Sequence, residues 1–380
     1  MRTLRSLKVG LNLLHLVPGE TGGSEVYARQ LIPALVQATA APELVLFASR
    51  EAAPSLRDAP WGGQVSVVEL PVRGGGRARR VLAEQTLLPR AAHRAGVDLL
   101  HNAFTTAPAR PGVRQVTTIH DLIYKRFPEA HAGGLSLGMR GLVPLAARRS
   151  KRIIAVSEAT KRDIIELLGI DPGRVDLIYE GPGAAPSRAP VPENVLRSRH
   201  SLGDRPIVFS VSAHRPHKNL KRLIEAIAQI EEPVILVIPG YATSWEGELR
   251  EHARRNGAEE RVRFLGWLSD DELEGLYRAA TCLAFPSLAE GFGLPVLEAM
   301  IRGLPVACSN ATSLPEVAGS AALYFDPEDT GAIAAAMRRM LADESLRARL
   351  SEAGPPQAAK FSWARTAEGT LESYRRALAS

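Results

Sequence analysis

The stretch PIVFSVSAHRPHKNLKRLIEAI (206–227) contains the pattern from which the fold of this chain can be inferred. It begins with a short run of Val, Ile and Phe and passes through a turn rich in cations. It ends in a segment whose apolar residues recur at helical spacing. A continuous apolar run beside an amphipathic helix is typical of a strand buried on both faces of a parallel sheet. The stretch therefore predicts one strand–turn–helix unit of an α/β domain.

Similar apolar runs recur along the chain of 380 residues and alternate with helical patterns. Such alternation predicts parallel sheets with helices on both faces, and the runs fall into two sets. We therefore predict an α/β protein of two doubly wound, Rossmann-like domains facing each other across a deep cleft. The predicted strands cover residues 8–14, 44–48, 65–70, 98–102, 115–119, 153–156, 175–178, 207–211, 234–238, 262–265, 283–285, 305–308 and 323–325.

A proline-rich stretch separates the two sets of strands. The segment EGPGAAPSRAPVPENV (180–195) changes sharply in composition, as expected at a domain boundary. We therefore assign residues 1–185 to the first domain and 186–360 to the second. The segment from 361 to 380 has the pattern of a terminal helix.

The composition restricts the class of protein. The net charge of +6 is accompanied by few aromatic residues, and no aromatic-interleaved basic motif occurs, so nucleic acid is disfavoured as a partner. The basic clusters at 73–80 and 146–152 favour either contact with anionic lipid or plain solubility. Cys282 and Cys308 lie in apolar runs and are expected to be reduced core thiols. No secretory signal is visible, and no run approaches the ~18 apolar residues that span a bilayer.

The turn after the first predicted strand contains two glycines. Gly22 and Gly23 precede Ser24, which we expect to cap a helix that begins at Glu25. Backbone amides at such a helix terminus suit an anion, and glycine lets the backbone approach it closely. A plain capped turn is the alternative interpretation.

A histidine ends the strand predicted at 115–119. His120 occupies the position where a functional residue of an α/β sheet is expected. The adjacent Asp121 would cap the next turn or orient the imidazole. A structural histidine is the alternative interpretation.

The turn within 206–227 crowds four potential cations before a helix: His214, Arg215, His217 and Lys218. Cations oppose the helix dipole at this end, so a bound phosphate or diphosphate would explain them. The Walker A pattern is absent, so this is not a P-loop. A solvated basic turn is the alternative.

The segment EGFGLPVLEAM (290–300) carries Glu290 and Glu298 on either side of a glycine turn. Glu298 lies inside the helix that follows the turn, so the two carboxylates need not converge on one atom. One could lie at the helix entrance, and the other could accept the vicinal hydroxyls of a ribose. An exposed glutamate in the loop and another on the helix face are the alternative. No metal-binding motif occurs, and no metal is expected.

Taken in order, these segments resemble the retaining GT-B glycosyltransferases of family 4 (glycosyltransferase group 1), in particular the bacterial mannosyltransferase-like branch. The resemblance covers essentially the whole chain, and the spacing of Glu290 and Glu298 around GFGLP is its most specific mark. The other marks are GGSEVYA (22–28), EQTLLP (84–89), TIHD (118–121) followed by FPE (127–129), AVSEATKRDI (155–164), RPHKNL (215–220), SNATSLPEVAG (309–319) and FSW (361–363).

The resemblance implies a role for each candidate residue. The donor diphosphate would bind Lys218 with Arg215 beside it, although His217 stands where the family often has arginine and leaves the second cation open. Glu298 would accept the ribose hydroxyls, and Glu290 would face the transferred sugar. Backbone amides of Phe292, Gly293 and Leu294 would contact the sugar and phosphate, and Gly22 and Gly23 would lie over the diphosphate. His120 would contact the sugar. The turn Gly266-Trp267-Leu268 would contact the base.

The resemblance also implies an activity. We expect transfer of a hexosyl group, with mannosyl as one candidate, from a GDP-sugar or UDP-sugar without a cofactor or metal. The acceptor would be a hydroxyl of a glycan, a lipid-linked molecule or a small molecule, as in polysaccharide biosynthesis. The first domain would bind the acceptor, the second would bind the nucleotide sugar, and the last helix would cross back to the first. The implied location is cytoplasmic, with peripheral contact at the inner face of the membrane as a hypothesis.

Two alternatives remain open from the sequence. A nucleotide-sugar 2-epimerase shares the two-domain architecture but needs acid and base residues and no sugar acceptor. A non-catalytic nucleotide-sugar-binding protein would keep the donor site alone. The segment 290–300 argues against the first alternative, and the presence of Lys218, Glu290 and Glu298 argues against the second.

Overall fold

The computed structural model describes residues 7–20, 22–127, 134–183 and 185–379. The chain divides into two compact units. The first contains residues 1–183 and 361–380, and the second contains residues 184–360. Part of the FPE segment, Pro128 and Glu129, lies outside the described residues.

Each unit is built on a parallel sheet, as the continuous apolar runs predict. Pairing of the first seven strands gives the order β3-β2-β1-β4-β5-β6-β7, and pairing of the other six gives β10-β9-β8-β11-β12-β13 among the described residues. The strands are β1 (Lys8–Leu13), β2 (Glu43–Ala48), β3 (Ser66–Glu69), β4 (Leu99–Asn102), β5 (Arg114–Ile119), β6 (Arg152–Ala155), β7 (Val175–Leu177), β8 (Ile207–Phe209), β9 (Ile235–Pro239), β10 (Val262–Gly266), β11 (Cys282–Phe285), β12 (Val306–Ser309) and β13 (Ala322–Phe325).

Helices connect the strands, and several begin at the caps that the sequence provides. Ser157 caps the helix after β6, and Ser269 forms a capping box with Glu272 after β10, as its position predicts. The helices are α1 (Gly23–Gln37), α2 (Ala52–Arg57), α3 (Arg77–Arg94), α4 (Ile123–Arg126), α5 (Gly134–Arg149), α6 (Glu158–Leu168), α7 (Glu193–Arg199), α8 (Leu220–Ala228), α9 (Glu246–Arg255), α10 (Asp270–Ala279), α11 (Leu294–Ile301), α12 (Leu314–Ala318), α13 (Thr330–Ala342), α14 (Glu344–Ala358) and α15 (Trp363–Ala379).

The first sheet is covered on both faces. Along β2, Leu44 and Leu46 join a core cluster with residues of α1 and α15, whereas Val45 and Phe47 join another with residues of α3. Alternate residues of a strand point to opposite faces, so both faces are packed. Full burial of a Leu or Phe side chain contributes about 1.5–3 kcal/mol, which favours the apolar residues that follow Glu43 in β2.

Both sheets reverse their strand order at one point, between β1 and β4 in the first and between β8 and β11 in the second. Ligands of open α/β sheets bind outside the carboxyl ends of the strands at such switch points. The predicted fold class of two doubly wound parallel α/β domains is confirmed, and each predicted strand is present. Both cysteines are buried and free, as expected.

Candidate functional site

The turn after β8 is shaped by a buried asparagine. Asn219 has φ 58, in the left-handed region that asparagine tolerates better than most residues. Its Nδ2 donates to the carbonyl oxygens of Pro286 at 3.0 Å and Pro327 at 2.7 Å. The first bond holds the turn against the loop that follows β11, across the switch point, and the second holds it against the segment that follows β13.

Of the four potential cations in this turn, Arg215 and Lys218 reach the surface. His214 and His217 are both buried. Burial lowers the pKa of His214 by more than the nearby Glu246 raises it, so this ring is neutral near pH 7. Arg215 is exposed and Lys218 is partly buried. His214 therefore does not supply the cation that the sequence suggests, and His217 is also packed in the interior.

Lys218 forms an ion pair with Glu290. Lys218 Nζ lies 2.6 Å from Glu290 Oε1, and the two side chains are only 16% and 10% exposed. An ion pair with so little solvent contact depends on both partners, since loss of one leaves the other uncompensated. The pair joins the turn after β8 to the loop after β11, the two strands at the switch point of the second sheet.

The loop that carries Glu290 is fixed by hydroxyls from the segment 309–319. Glu290 N donates to Thr312 Oγ1 at 3.0 Å. Ser313 Oγ lies 2.7 Å from Phe292 O and 3.1 Å from Glu290 O, so its hydroxyl is shared between two carbonyls. The SNATSLPEVAG mark thus holds the predicted sugar-facing loop in place.

Gly293 turns this loop into α11. Its φ is 116, and a Cβ there would come within 2.8 Å of Leu314 Cδ2, so both backbone and packing require glycine. Pro295 occupies the first turn of α11, where proline is favoured. The chain from Phe292 to Leu294 therefore forms a helix N-terminus of the kind that binds anions.

Glu298 lies within α11 and has a different partner from Glu290. Tyr277 Oη donates to Glu298 Oε2 at 2.8 Å. Burial raises the pKa of the Glu298 carboxyl, and the Tyr277 hydrogen bond and the charge of Arg302 offset only part of this. A small cavity beside the carboxylate is lined by Ala185, Ser187, Asp270, Leu273, Glu274, Tyr277, Glu298 and Arg302.

The Tyr277 ring contacts the arginine of a buried ion pair. Arg302 Nε lies 2.7 Å from Glu274 Oε2, and its guanidinium lies 4.6 Å from the centre of the Tyr277 ring. Arg302 Nη1 also donates to Glu298 O at 2.9 Å. The sequence interpretation missed Tyr277, although it lies on α10, whose apolar face packs on the sheet beside α11.

The predicted base-contacting turn follows β10. Gly266 has φ 66, and its carbonyl accepts from Gly240 N at 2.8 Å. Trp267 is 66% exposed. Its ring lies 4.8 Å from that of Tyr241, and Leu268 is partly buried. The turn lies at the carboxyl end of its strand, and its contact with a base stays a prediction.

In the first unit, α1 begins two residues earlier than predicted. Gly22 is the N-cap with φ 66, and the helix begins at Gly23. Ser24 therefore lies inside the first turn and cannot cap the helix, so that prediction was wrong. Glu25 Oε2 instead accepts from Gly19 N at 2.9 Å, which closes the turn before the helix.

His120 is oriented by Glu180. His120 Nδ1 lies 3.0 Å from Glu180 Oε1, and Nε2 donates to Ala103 O at 2.8 Å. Asp121 accepts from Ile123 N at 2.9 Å, so it caps the next turn and does not orient the ring. The sequence interpretation missed Glu180 because it assigned this residue to the linker. Glu180 lies three residues beyond β7 and His120 directly follows β5, so both lie at the carboxyl end of the first sheet, but no sequence pattern pairs them.

The structure thus groups the predicted residues in two places within the second unit. Lys218 contacts Glu290, and Glu298 contacts Tyr277. Within the described ranges, no group of three or more His, Cys, Asp or Glu side chains is arranged to hold a metal ion. Nor does this part of the chain contain a helix long and apolar enough to cross a membrane.

The basic clusters of the first unit are largely exposed. Arg73, Arg77 and Arg79 are exposed at the start of α3, and Leu82 on the same helix is 63% exposed. The cluster at 146–152 has three exposed cations, whereas Arg152 pairs with Asp176.

Models of known protein families match both units of the chain. The family model "Glycosyltransferase Family 4" matches residues 21–181, and "Glycosyl transferases group 1" matches residues 193–357. The chain is 34% identical over 273 residues to the O-antigen chain mannosyltransferase B of Escherichia coli, covering 69% of this chain and 70% of that protein. The chain therefore belongs to the family 4 glycosyltransferases with the GT-B fold.

A relative and a solved structure extend over nearly the whole chain. A D-inositol 3-phosphate glycosyltransferase of Salinispora arenicola is 29% identical over 100% of this chain and 93% of its own length. The crystal structure of Anabaena HepE in complex with UDP and glucose superposes with a TM-score of 0.76 over 97% of this chain and 99% of that chain, at 22% identity. The likeness to HepE shows that the two chains share a fold.

Proposed function

We propose that this glycosyltransferase moves a hexosyl group, with retention of anomeric configuration, from a nucleoside-diphosphate sugar to an acceptor hydroxyl. The observation that supports this most is the Lys218–Glu290 pair at the switch point of the second sheet, with Glu298 on the helix that begins beside it. The lysine suits the diphosphate of such a donor, and the two carboxylates suit the hydroxyls of its sugar and ribose. The helix N-terminus suits an anion.

Donor binding divides among these groups. Lys218 and the exposed Arg215 bind the diphosphate, and Lys218 exchanges Glu290 for the phosphate when the donor enters. Glu290 is then released toward the sugar hydroxyls. Glu298, held by Tyr277, accepts the ribose hydroxyls. The amides of Phe292, Gly293 and Leu294 complete the sugar and phosphate contacts, and the turn at Trp267 and Leu268 meets the base.

Catalysis is chiefly electrostatic in this proposal. The acceptor oxygen attacks the face of the sugar from which the diphosphate departs, and a phosphate oxygen takes the acceptor proton. Negative charge grows on the departing diphosphate, and Lys218, Arg215 and the N-terminus of α11 stabilise it. These groups perform the task that a metal performs in other transferases, so no metal is required.

The first unit contributes a glycine turn and a histidine. Gly22 and Gly23 bring backbone amides to the diphosphate at the N-terminus of α1. His120 lies beyond β5 and acts on the transferred sugar. The same unit carries the acceptor site.

The relatives suggest candidates for both substrates. The O-antigen chain mannosyltransferase favours a mannosyl donor and a glycan acceptor, whereas the inositol phosphate glycosyltransferase favours a small phosphorylated acceptor. HepE was solved with UDP and glucose, which keeps a uridine donor open. We rank a GDP-mannose donor with a glycan or lipid-linked acceptor first.

A lipid-linked acceptor would be reached at a membrane surface. The exposed Arg73, Arg77 and Arg79 with Leu82 on α3 suit peripheral contact with anionic lipid. Binding to vesicles of phosphatidylglycerol and phosphatidylcholine should fall when salt is raised. Equal recovery with pure phosphatidylcholine vesicles would contradict this contact.

The experiment for the function has two stages. A thermal-shift panel of GDP-mannose, UDP-glucose and related donors identifies the nucleotide, because a ligand that binds the native state raises its melting temperature. The chosen donor is then incubated with and without acceptor sugars and lipid-linked glycans. Release of nucleoside diphosphate only with acceptor supports transfer. Epimerised donor without acceptor indicates an epimerase, and binding without turnover indicates a non-catalytic protein.

A further inference from the structure

The imidazole of His120 is held between two groups that only accept hydrogen bonds. Its Nε2 lies 2.8 Å from Ala103 O, and its Nδ1 lies 3.0 Å from Glu180 Oε1. A backbone carbonyl has no proton to donate, and an ionised carboxylate also only accepts. With Glu180 ionised, both ring nitrogens carry hydrogen, and an imidazole with two N–H groups is a cation.

The neighbouring His101 provides a contrast within the same sheet. Its Nδ1 lies 2.7 Å from Tyr374 Oη, and its Nε2 lies 2.8 Å from Thr118 Oγ1. Hydroxyls can donate or accept, so a neutral ring satisfies both contacts. Burial, together with repulsion from His120, lowers the pKa of His101 to about 3. His101 on β4 can therefore stay neutral, whereas the partners of His120, just beyond the adjacent strand β5, favour the charged ring.

Glu180 is held firmly in place by α15. Thr366 Oγ1 donates to Tyr179 O at 2.8 Å, and Trp363 Nε1 donates to Pro182 O at 2.7 Å. These bonds fix the chain on both sides of the carboxylate. Glu180 itself is 3% exposed, so water competes little for its contact with His120.

We infer that Glu180 is a positioning residue that keeps His120 protonated and fixed, so that His120 acts as a stationary positive charge and not as a base. The catalytic meaning of this inference rests on the proposed glycosyl transfer. A stationary charge stabilises negative charge that develops on the substrate, and it needs no reorganisation during the reaction. Both ring nitrogens are already engaged, so His120 has no lone pair with which to take the acceptor proton.

The other groups around His120 are consistent with this assignment. Asp121 adds negative charge from the same segment, and His101 on β4 is neutral. Tyr27 on α1 packs its ring edge-on at 4.8 Å, and burial raises its phenol pKa. Burial alone lowers the pKa of His120, but the hydrogen bond and charge of Glu180, with the Ala103 carbonyl and Asp121, outweigh it and raise the pKa above its ordinary value.

Nitrogen-15 NMR of histidine-labelled protein reads this charge state directly. The His120 signals are assigned by their loss in His120→Asn. We expect both ring nitrogens to show imidazolium shifts at pH 7, with a titration midpoint above the ordinary value. Glu180→Gln should lower that midpoint. The matched control is Glu225→Gln, which breaks the His252–Glu225 contact of 2.8 Å in the second unit and should leave His120 unchanged.

Kinetics test the catalytic meaning. If the cation is the active form, the wild-type rate falls as pH rises through the His120 titration. Glu180→Gln should lower kcat by roughly 100-fold at high pH, and by less at low pH where acid restores the imidazolium. Glu180→Asp should recover part of the rate, and melting curves show whether each variant is folded.

Three results would overturn the inference. They are a neutral His120 at pH 7 in the wild type, an equal midpoint in Glu180→Gln, and a rate that rises with pH through the same titration. If no donor and acceptor give turnover, the proposed function fails instead. The NMR titration still decides whether Glu180 sets the charge of His120.

Discussion

Lys218 and Glu290 are 72 positions apart in the sequence, yet Lys218 Nζ lies 2.6 Å from Glu290 Oε1. Three features of the second unit bring them together: the strand reversal between β8 and β11, the Asn219 bonds across it, and the hydroxyl clamps from Thr312 and Ser313. The pair holds a cation and a carboxylate at the carboxyl end of the sheet before any ligand is bound. In the proposed function, such preorganisation would let Lys218 exchange Glu290 for a phosphate without rearranging the backbone.

Removal of one partner of this pair should cost more than removal of both. Lys218→Met leaves the Glu290 carboxylate uncompensated and should lower the free energy of unfolding by about 1–3 kcal/mol. Adding Glu290→Gln should restore most of that loss but no transferase activity. Urea unfolding of the two single variants and the double variant measures the coupling.

The control cycle uses the exposed pair Lys221–Glu248, whose Nζ–Oε1 distance is also 2.6 Å. Its side chains are 45% and 49% exposed, so its coupling should be at most about 1 kcal/mol. Equal coupling in both cycles would show that burial of the Lys218 pair has no energetic consequence.

Glu290→Gln should chiefly slow the reaction. Gln keeps the shape of the side chain but loses the charge that polarises the sugar, so we expect kcat to fall about 100-fold. Donor affinity should change little, because Lys218 and Glu298 remain. Steady-state kinetics and calorimetric titration with the donor separate the two effects. A bell-shaped pH dependence lost in both Glu290→Gln and Glu298→Gln would instead indicate an acid–base pair.

Glu298→Gln should chiefly weaken donor binding. Losing a charged acceptor for the ribose hydroxyls should cost about 1.5–3 kcal/mol of binding free energy. The folded protein should be no less stable at pH 7, because burial already opposes the charged form of this carboxyl. Titration of the nucleoside diphosphate and thermal melting provide both values. A loss of stability with unchanged affinity would assign Glu298 a purely structural role.

Donor affinity should also depend on pH through Glu298. Its pKa is raised in the folded protein, so the carboxyl takes up a proton at a higher pH than an exposed glutamate would. The charged form is the ribose acceptor, so nucleotide affinity should fall as pH drops through this titration. Glu298→Gln should show no such fall. Tyr277→Phe removes a hydrogen bond to the charged form and should move the fall to higher pH.

Gly293→Ala tests the turn into α11. Alanine is strained at φ 116, and its Cβ would overlap the Leu314 side chain. We expect a loss of about 1–3 kcal/mol in unfolding free energy and weaker donor binding. The control is Gly247→Ala on α9, where a Cβ meets nothing within 4 Å and stability should not fall.

The sequence predicts the fold well because parallel strands buried on both faces leave continuous apolar runs. It also locates Lys218, Glu290 and His120, since each follows a strand at the carboxyl end of a sheet. It cannot show that His214 and His217 are packed inward, because local sequence does not reveal which side of a turn is buried. Nor does it reveal Glu180, whose partner lies 60 positions away.

The start of α1 also differs from the sequence pattern. Ser24 has the character of a cap, but Gly22, with its positive φ, is the N-cap, so the helix begins two residues earlier than predicted. The role of Tyr277 depends on the packing of α10 beside α11, which no motif encodes. Partners contributed by tertiary packing therefore required the structure.

The anomeric configuration of the product tests retaining glycosyl transfer most directly. The reaction contains wild-type protein, the α-linked donor chosen by thermal shift and a matching acceptor. Proton NMR then measures the anomeric configuration of the new glycosidic bond. A retaining transferase gives an α-linked product together with one equivalent of nucleoside diphosphate, and we expect a strongly reduced rate in Lys218→Met. A β-linked product would contradict retention, and an epimerised donor with no glycoside formed would contradict transfer itself.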